Sequence, residues 1–296
     1  MKRRDFIALT GLGAVLATVS GFSASADEPK KKVLYYDYSA GFIHPPTVDN
    51  DGKLGVCGSF LKDFGGKNGI EVVCTKDGSI FDGDLSRYAA IVFYTSGDLF
   101  NTNSRCPGQP LSKQGAKNLF EAVRSGVGFL GFHSATDTWC VRGPERFKDV
   151  PKEDRNDYIN MIGGEFIMHG SQQEATVKPI APELPCLKGM ERPIRHHDEW
   201  YCNKHLAKDM HVFLMLQTEG MTGDCYDRPD FPCVWARKEG KGIVAYSALG
   251  HGNNHWETPL VQGVAGDLLK LVVGDLQIDL TPNFETVCPD AAISHR

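Results

Sequence analysis

The sequence predicts an α/β fold with a mainly parallel sheet and helices on both faces. Three observations predict it. Short apolar runs alternate with helix-compatible segments through the first half of the chain, the pattern of successive βαβ units. One of those segments carries both a start and a stop signal for a helix. The chain is also long enough, at 296 residues with 41% hydrophobic content, for one large domain with a sizeable core.

Residues 32–39 (KVLYYDYS) read as the first strand, 54–67 as a helix-compatible stretch, and 70–75 (IEVVCT) as the second strand. Residues 90–95 (AIVFYT) form a third strand, bounded by Ser96, Gly97 and Asp98. The clearest helix covers 112–125. Ser112 can cap it, Leu119, Phe120 and Val123 make its apolar face, and Gly126 stops it. Residues 128–132 (GFLGF) give the fourth strand. The second half is richer in strands, at 175–180, 195–202, 212–218, 233–237 and 242–248. A tight turn over Lys238, Glu239, Gly240 and Lys241 precedes the last of these. A closing helix is expected over about 259–273, and residues 281–296 read as a loose C-terminal tail.

The first residues stand apart. Lys2, Arg3 and Arg4 are followed, after Asp5, by an uncharged stretch from Phe6 to Ala26 that ends in Ala24-Ser25-Ala26. This is the signature of a secretory signal peptide of the twin-arginine type over residues 1–26. A periplasmic product starting near Asp27, with no stable membrane anchor, is expected. The net charge of −5 excludes a basic footprint for nucleic acid. The odd count of nine cysteines leaves at least one thiol unpaired. Cys225 and Cys233 bracket a short Pro-containing loop and are the pair most readily bridged.

Three strand ends lead to a histidine close after a glycine: His44, His133 and His251. Glycine lets the backbone turn sharply there, and ligands of parallel sheets bind beyond the carboxyl ends of the strands. Each histidine alone reads more readily as a structural residue; three at one edge point to a site. A fourth cluster runs from Arg195 to Tyr201. On a strand, His197 and Glu199 would share one face and His196 and Asp198 the other. A carboxylate beside an imidazole suits acid–base work. His44, His133, His251 and Glu199 would also suit a divalent ion, yet these four come from separate parts of the chain and form no local ligand pair among themselves. No cofactor is therefore expected, and a divalent metal stays open. No G-x-S-x-G elbow, Walker A motif or dinucleotide fingerprint is present.

The segments "GFIH", "GFLGFHSATDT", "IGGEFIMHG", "HDEWY" and "GKGIVAYSALGHGNNHW" together resemble the ThuA-like (trehalose utilisation) family. The match spans nearly all of residues 27–280. The resemblance implies a flavodoxin-like, class I glutamine amidotransferase-like fold. In true amidotransferases the turn after the elbow strand carries a nucleophilic cysteine. Here that place falls to His133, and Cys140 lies well beyond it, so no thioester chemistry is implied. The family further implies a small-molecule carbohydrate as ligand, and a functional link to oxidoreductases that make keto sugars from disaccharides. Two departures stand out: a long connection over 139–156, and Gly170 after His169 where relatives commonly carry proline.

From this follow the expected roles. His133 is the base that removes a proton beside a keto group, and His44 and His251 polarise the keto oxygen. Asp137 or Glu199 orients an imidazole. Ser134, Thr136 and His197 contact sugar, with Trp200, Tyr201 and Trp256 as stacking surface. The alternatives are a metal-dependent hydrolase on the same histidines and a non-catalytic carbohydrate-binding protein.

Overall fold

The computed structural model describes residues 31–190 and 192–292; the signal peptide expected over residues 1–26 lies outside them. Five strands form the parallel half of a nine-stranded sheet. They are β1 (Lys31–Tyr36), β2 (Ile70–Thr75), β3 (Ala90–Phe93), β4 (Gly128–Phe132) and, late in the chain, residues 242–247. β3 and β4 are buried at every position, as strands covered on both faces must be. Helices α1 (Val56–Lys67) and α2 (Lys113–Ser125) connect them. Ser112 caps α2 by accepting a hydrogen bond from the Gly115 N–H at 2.8 Å. Gly126 ends it at φ 126°, where a β-carbon would be strained.

The chain then adds α3 (Asp157–Ile162), β5 (Glu165–His169), β6 (Gln173–Pro179), β7 (Ile194–Asp198), β8 (Tyr201–Lys204), β9 (His211–Gln217), β10 (Phe231–Glu239), β11 (Gly242–Ser247), α4 (Pro259–Val272) and α5 (Phe284–Val287). The order across the large sheet is β2-β1-β3-β4-β11-β10-β9-β6-β7, and β5 pairs with β8 in a small second sheet. α1 packs with α4, and α2 packs with α3. The β10–β11 hairpin turns at Gly240, at φ 60°, as the turn chemistry predicts. No helix among the described residues is long and apolar enough to cross a membrane.

Four expectations change. The strand read over 195–202 is two strands in different sheets, because the chain turns between Asp198 and Tyr201. β5 and α3 were not anticipated. Residues 281–292 are not loose: Phe284, Cys288 and Ala291 are buried, and Arg228 donates to the Ala291 carbonyl at 2.9 Å. All nine cysteines are free thiols. Cys233 is buried on β10 with its thiol toward the Leu214 carbonyl, while the Cys202 thiol, not Cys233, faces the Cys225 carbonyl at 3.1 Å.

At the amino end of β4, the end away from the site, helix α4 approaches the sheet closely. A β-carbon on Gly128 would lie 2.1 Å from the Val272 carbonyl oxygen, so only glycine fits without lifting α4. Gly128→Ala should cost about 1–3 kcal/mol by overpacking. The check is a lower melting temperature with an unchanged circular dichroism spectrum; an unchanged melting temperature would contradict the close approach.

Candidate functional site

The site lies where β1, β4 and β11 run out at their carboxyl ends. β4 and β11 are neighbours in register, Phe132 opposite Ser247, so the residues that follow them leave the sheet side by side. His133 begins the tight 3-10 turn His133–Asp137 and takes φ 40°. A non-glycine residue in that region is strained by roughly 1–3 kcal/mol, and the surroundings hold it there. Tyr246 donates to the His133 carbonyl at 2.6 Å, and Tyr158 donates to the Ala135 carbonyl at 2.9 Å. Gly131, just before, can carry no side chain, since a β-carbon would meet Ala135 and Ile162 at 2.9 Å.

His44 is set by its successor. Pro45 restricts the preceding residue to extended backbone, and His44 has φ −74° and ψ 140°. Thr47 then accepts the turn, donating its hydroxyl to the His44 carbonyl at 2.8 Å. After β11, the Gly250 carbonyl accepts from Tyr94 and Trp256 at 2.8 and 2.9 Å. The Gly250 and His251 amides donate to the buried Asp198 carboxylate at 2.7 and 3.0 Å. Asp198 thereby binds the end of β7 to the end of β11, and the next residue, Glu199, is delivered beside His251.

The result is a cluster. The rings of His44, His133 and His251 lie with centroids 4.9 to 5.2 Å apart. His133 Nε2 is 3.2 Å from His251 Nδ1 and 3.5 Å from Glu199 Oε2, and His251 Nδ1 is 3.0 Å from the same oxygen. One donor atom from each of His44, His133, Glu199 and His251 lies within 4.8 Å of the others. His133 Nδ1 donates to the Ala248 carbonyl at 2.8 Å, because a carbonyl can only accept; its Nε2 therefore presents a lone pair to the cluster. Burial pushes His44 well below the usual imidazole range, and a positive charge on either neighbouring imidazole would push it further. Burial alone would raise the Glu199 carboxyl, but His133 and His251 beside it hold it well below the usual carboxylate range.

Two further residues complete the site, both inside motifs that sequence reasoning quoted without assigning them. His169 ends β5, with Nδ1 3.3 Å from Glu199 Oε1 and 2.8 Å from the Gly170 carbonyl. Both neighbours accept, so the proton sits on Nδ1 and Nε2 carries the lone pair. Its ring stacks on Tyr201 with 6° between the planes. Phe42, 59% exposed, stands over His44 and His251 at 4.8 and 6.4 Å. The short sequence distance from Phe42 to His44 could have flagged it. His169 had no strand to place it.

Other expected residues sit elsewhere. Asp137 pairs with Arg142 at 2.9 Å and accepts from the Cys140 thiol at 3.2 Å; the imidazole-orienting carboxylate is Glu199. Cys140 stays a thiol, since burial and the Asp137 charge push it up. Ser134 and Thr136 are fully buried beneath the turn, Thr136 against the Tyr246 hydroxyl at 3.2 Å, out of reach of a sugar. His197 is exposed while His196 and Asp198 point inward. Glu199 follows the strand's end, so the alternation that paired it with His197 has already stopped. Trp200 and Trp256 are core residues, donating to the Gln173 and Gly250 carbonyls. Tyr201 alone of the three aromatics belongs to the site, its ring 4.3 Å from that of His133 and its hydroxyl 3.3 Å from His44 Nε2.

The sequence pattern of the ThuA family, described as trehalose utilisation, matches residues 32–267. The chain belongs to the ThuA family. A solved ThuA-like protein from Bacteroides uniformis is 20% identical, with a TM-score of 0.62 over 85% of this chain and 95% of its own. Another, from Parabacteroides merdae, is 16% identical, with a TM-score of 0.58 over 91% of this chain and 98% of its own. The expected class I glutamine amidotransferase-like fold is thereby found in this chain. No curated protein matches it.

Asp198 is the residue whose loss should be felt first. Burial would raise its carboxyl, but His196, His133, His255 and the Gly250 amide hold it below the usual carboxylate range. Asp198→Asn keeps the shape, removes the charge and turns an N–H₂ toward backbone donors. A loss of about 2–4 kcal/mol in urea unfolding is expected; a change within experimental error would show that the tie between β7 and β11 is dispensable.

Proposed function

We propose that the protein processes a keto sugar derived from a disaccharide, by removing a proton from the carbon beside the carbonyl. The family's description as trehalose utilisation supports a carbohydrate as the ligand, and a sugar oxidoreductase would supply the keto group. The observation that carries the chemistry is the His169–Glu199 pair above the buried histidines. His169 has a side chain 37% exposed, Nδ1 fixed by two acceptors, and Nε2 free. An imidazole oriented by a carboxylate, with its lone pair turned outward, is the arrangement of a general base.

His133, the base expected from sequence, is 0% exposed and lies beneath Glu199, His251 and Tyr201. Its lone pair faces the cluster, so a substrate C–H meets His169 before it. In the proposed step His169 Nε2 takes the proton, the C–H electron pair moves into the carbon–carbon bond, and the carbonyl becomes an enolate. The neutral buried imidazoles present lone pairs and cannot stabilise that oxygen by themselves; a proton or a cation held among them would do so. From the enolate, loss of a leaving group gives elimination and reprotonation gives epimerisation; water can then add to the unsaturated ketone that elimination leaves. Phe42 offers an exposed apolar face for a sugar ring at the rim.

The test is turnover of a 3-keto-disaccharide by the purified protein and two variants. His169→Ala and His169→Gln should each lower kcat by about 10²–10⁴-fold, the usual contribution of a positioned acid–base group, with an unchanged melting temperature. Full activity in His169→Gln would remove the base assignment. Failure of the wild type on every keto-disaccharide tried would remove the reading itself.

A further inference from the structure

We propose that His44, His133, Glu199 and His251 bind one divalent first-row transition-metal ion, with zinc the first candidate. The proposal shares its site with the proposed function but stands whether or not a keto sugar is the substrate.

The distances within the cluster are those of a coordination polyhedron. His133 Nε2, His251 Nδ1 and Glu199 Oε2 form a triangle with edges of 3.2, 3.5 and 3.0 Å. A cation with bonds of about 2.0–2.1 Å to nitrogen and oxygen places its ligand atoms about 3.0–3.4 Å apart. His44 brings a fourth donor within 4.8 Å of the rest, and the four residues are all buried.

Proton bookkeeping points the same way. His133 Nε2 has a lone pair because its Nδ1–H is given to Ala248, and Glu199 is an acceptor. Only His251 Nδ1 can donate to either of them, and it can satisfy one. His44 Nδ1 is buried with no hydrogen-bond partner among the described residues, a cost that native structures rarely leave standing. A central cation satisfies His133, His251 and Glu199 at once and gives His44 a reason to lie there.

The surroundings are also those of a metal site. Ligating histidines usually give their other N–H to a carbonyl, as His133 does to Ala248. Glu199 turns Oε2 to the cluster and Oε1 toward His169 Nδ1, 3.3 Å away, so one carboxylate joins ion and base. Three imidazoles to one carboxylate favour zinc, manganese, iron, cobalt or nickel over calcium and magnesium, which take oxygen. The ion would act as a Lewis acid on a substrate oxygen.

The test uses the purified protein stripped with chelator, reloaded with Zn²⁺, Mn²⁺ or Co²⁺ and freed of excess ion by gel filtration. Elemental analysis should find one equivalent per chain, and the bound ion should raise the melting temperature. His251→Ala and Glu199→Ala, both at the rim of the cluster, should lose the ion while keeping the wild-type circular dichroism spectrum. His197→Ala, on the exposed face, should retain it. Well under one equivalent in the wild type for all three ions would overturn the proposal, as would full binding by both His251→Ala and Glu199→Ala. Bound metal without keto-disaccharide turnover removes the sugar reading and leaves the metal site. Turnover by metal-free protein, with no ion taken up on reloading, does the reverse.

Discussion

The site depends on one buried carboxylate. Asp198 ends β7, at the far edge of the sheet's antiparallel half, and accepts the amides of Gly250 and His251 beyond the end of β11. It also accepts the amide of Glu199 at 2.9 Å. Three backbone donors on one ion fix three chain positions relative to each other, and charge-assisted bonds of this kind are stronger than neutral ones. Two of those positions carry side chains of the cluster. Asp198 touches no ring nitrogen of His133 or His251, yet it decides whether Glu199 and His251 meet.

The opposite side of the cluster is set by backbone strain. His133 sits at the elbow after β4 with a positive φ, the position at which this class of sheet presents a reactive side chain. The strain persists because the turn is tied down by Tyr246 and Tyr158 and because Gly131 lets Ile162 and Ala135 close in. An imidazole then replaces the nucleophile that other elbows present. Its Nδ1 is occupied by the Ala248 carbonyl, so the elbow offers a lone pair toward His251 and Glu199, and not a nucleophile toward solvent.

The parallel half of the fold was legible because its strands are continuous apolar runs and its helices carry their own stop signals. His44, His133 and His251 were legible for the same reason: each follows a strand that periodicity identifies, and a shared carboxyl edge brings such ends together. What failed was reasoning by alternation past a strand's end. Glu199 was paired with His197, yet the chain turns after Asp198 and sends Glu199 inward. Trp200 and Trp256 looked like sugar-stacking surface, but a large aromatic with a satisfied N–H is equally at home in the core, and both are buried there. Phe42 and His169 were missed because nothing in one sequence tells an exposed aromatic from a buried one, or pairs β5 with a strand more than thirty residues on.

Backbone carbonyls hold the proton of both His133 and His169 on Nδ1, leaving the Nε2 lone pair of His133 toward the cluster and that of His169 outward. Long-range ¹H–¹⁵N correlation spectra of the histidine rings test this most directly. The account predicts that the rings of His133 and His169 each carry their exchangeable proton on Nδ1, and that in Asp198→Asn the His251 resonances shift more than those of His169. Finding His133 in the Nε2–H form would place its lone pair against the Ala248 carbonyl and contradict the account.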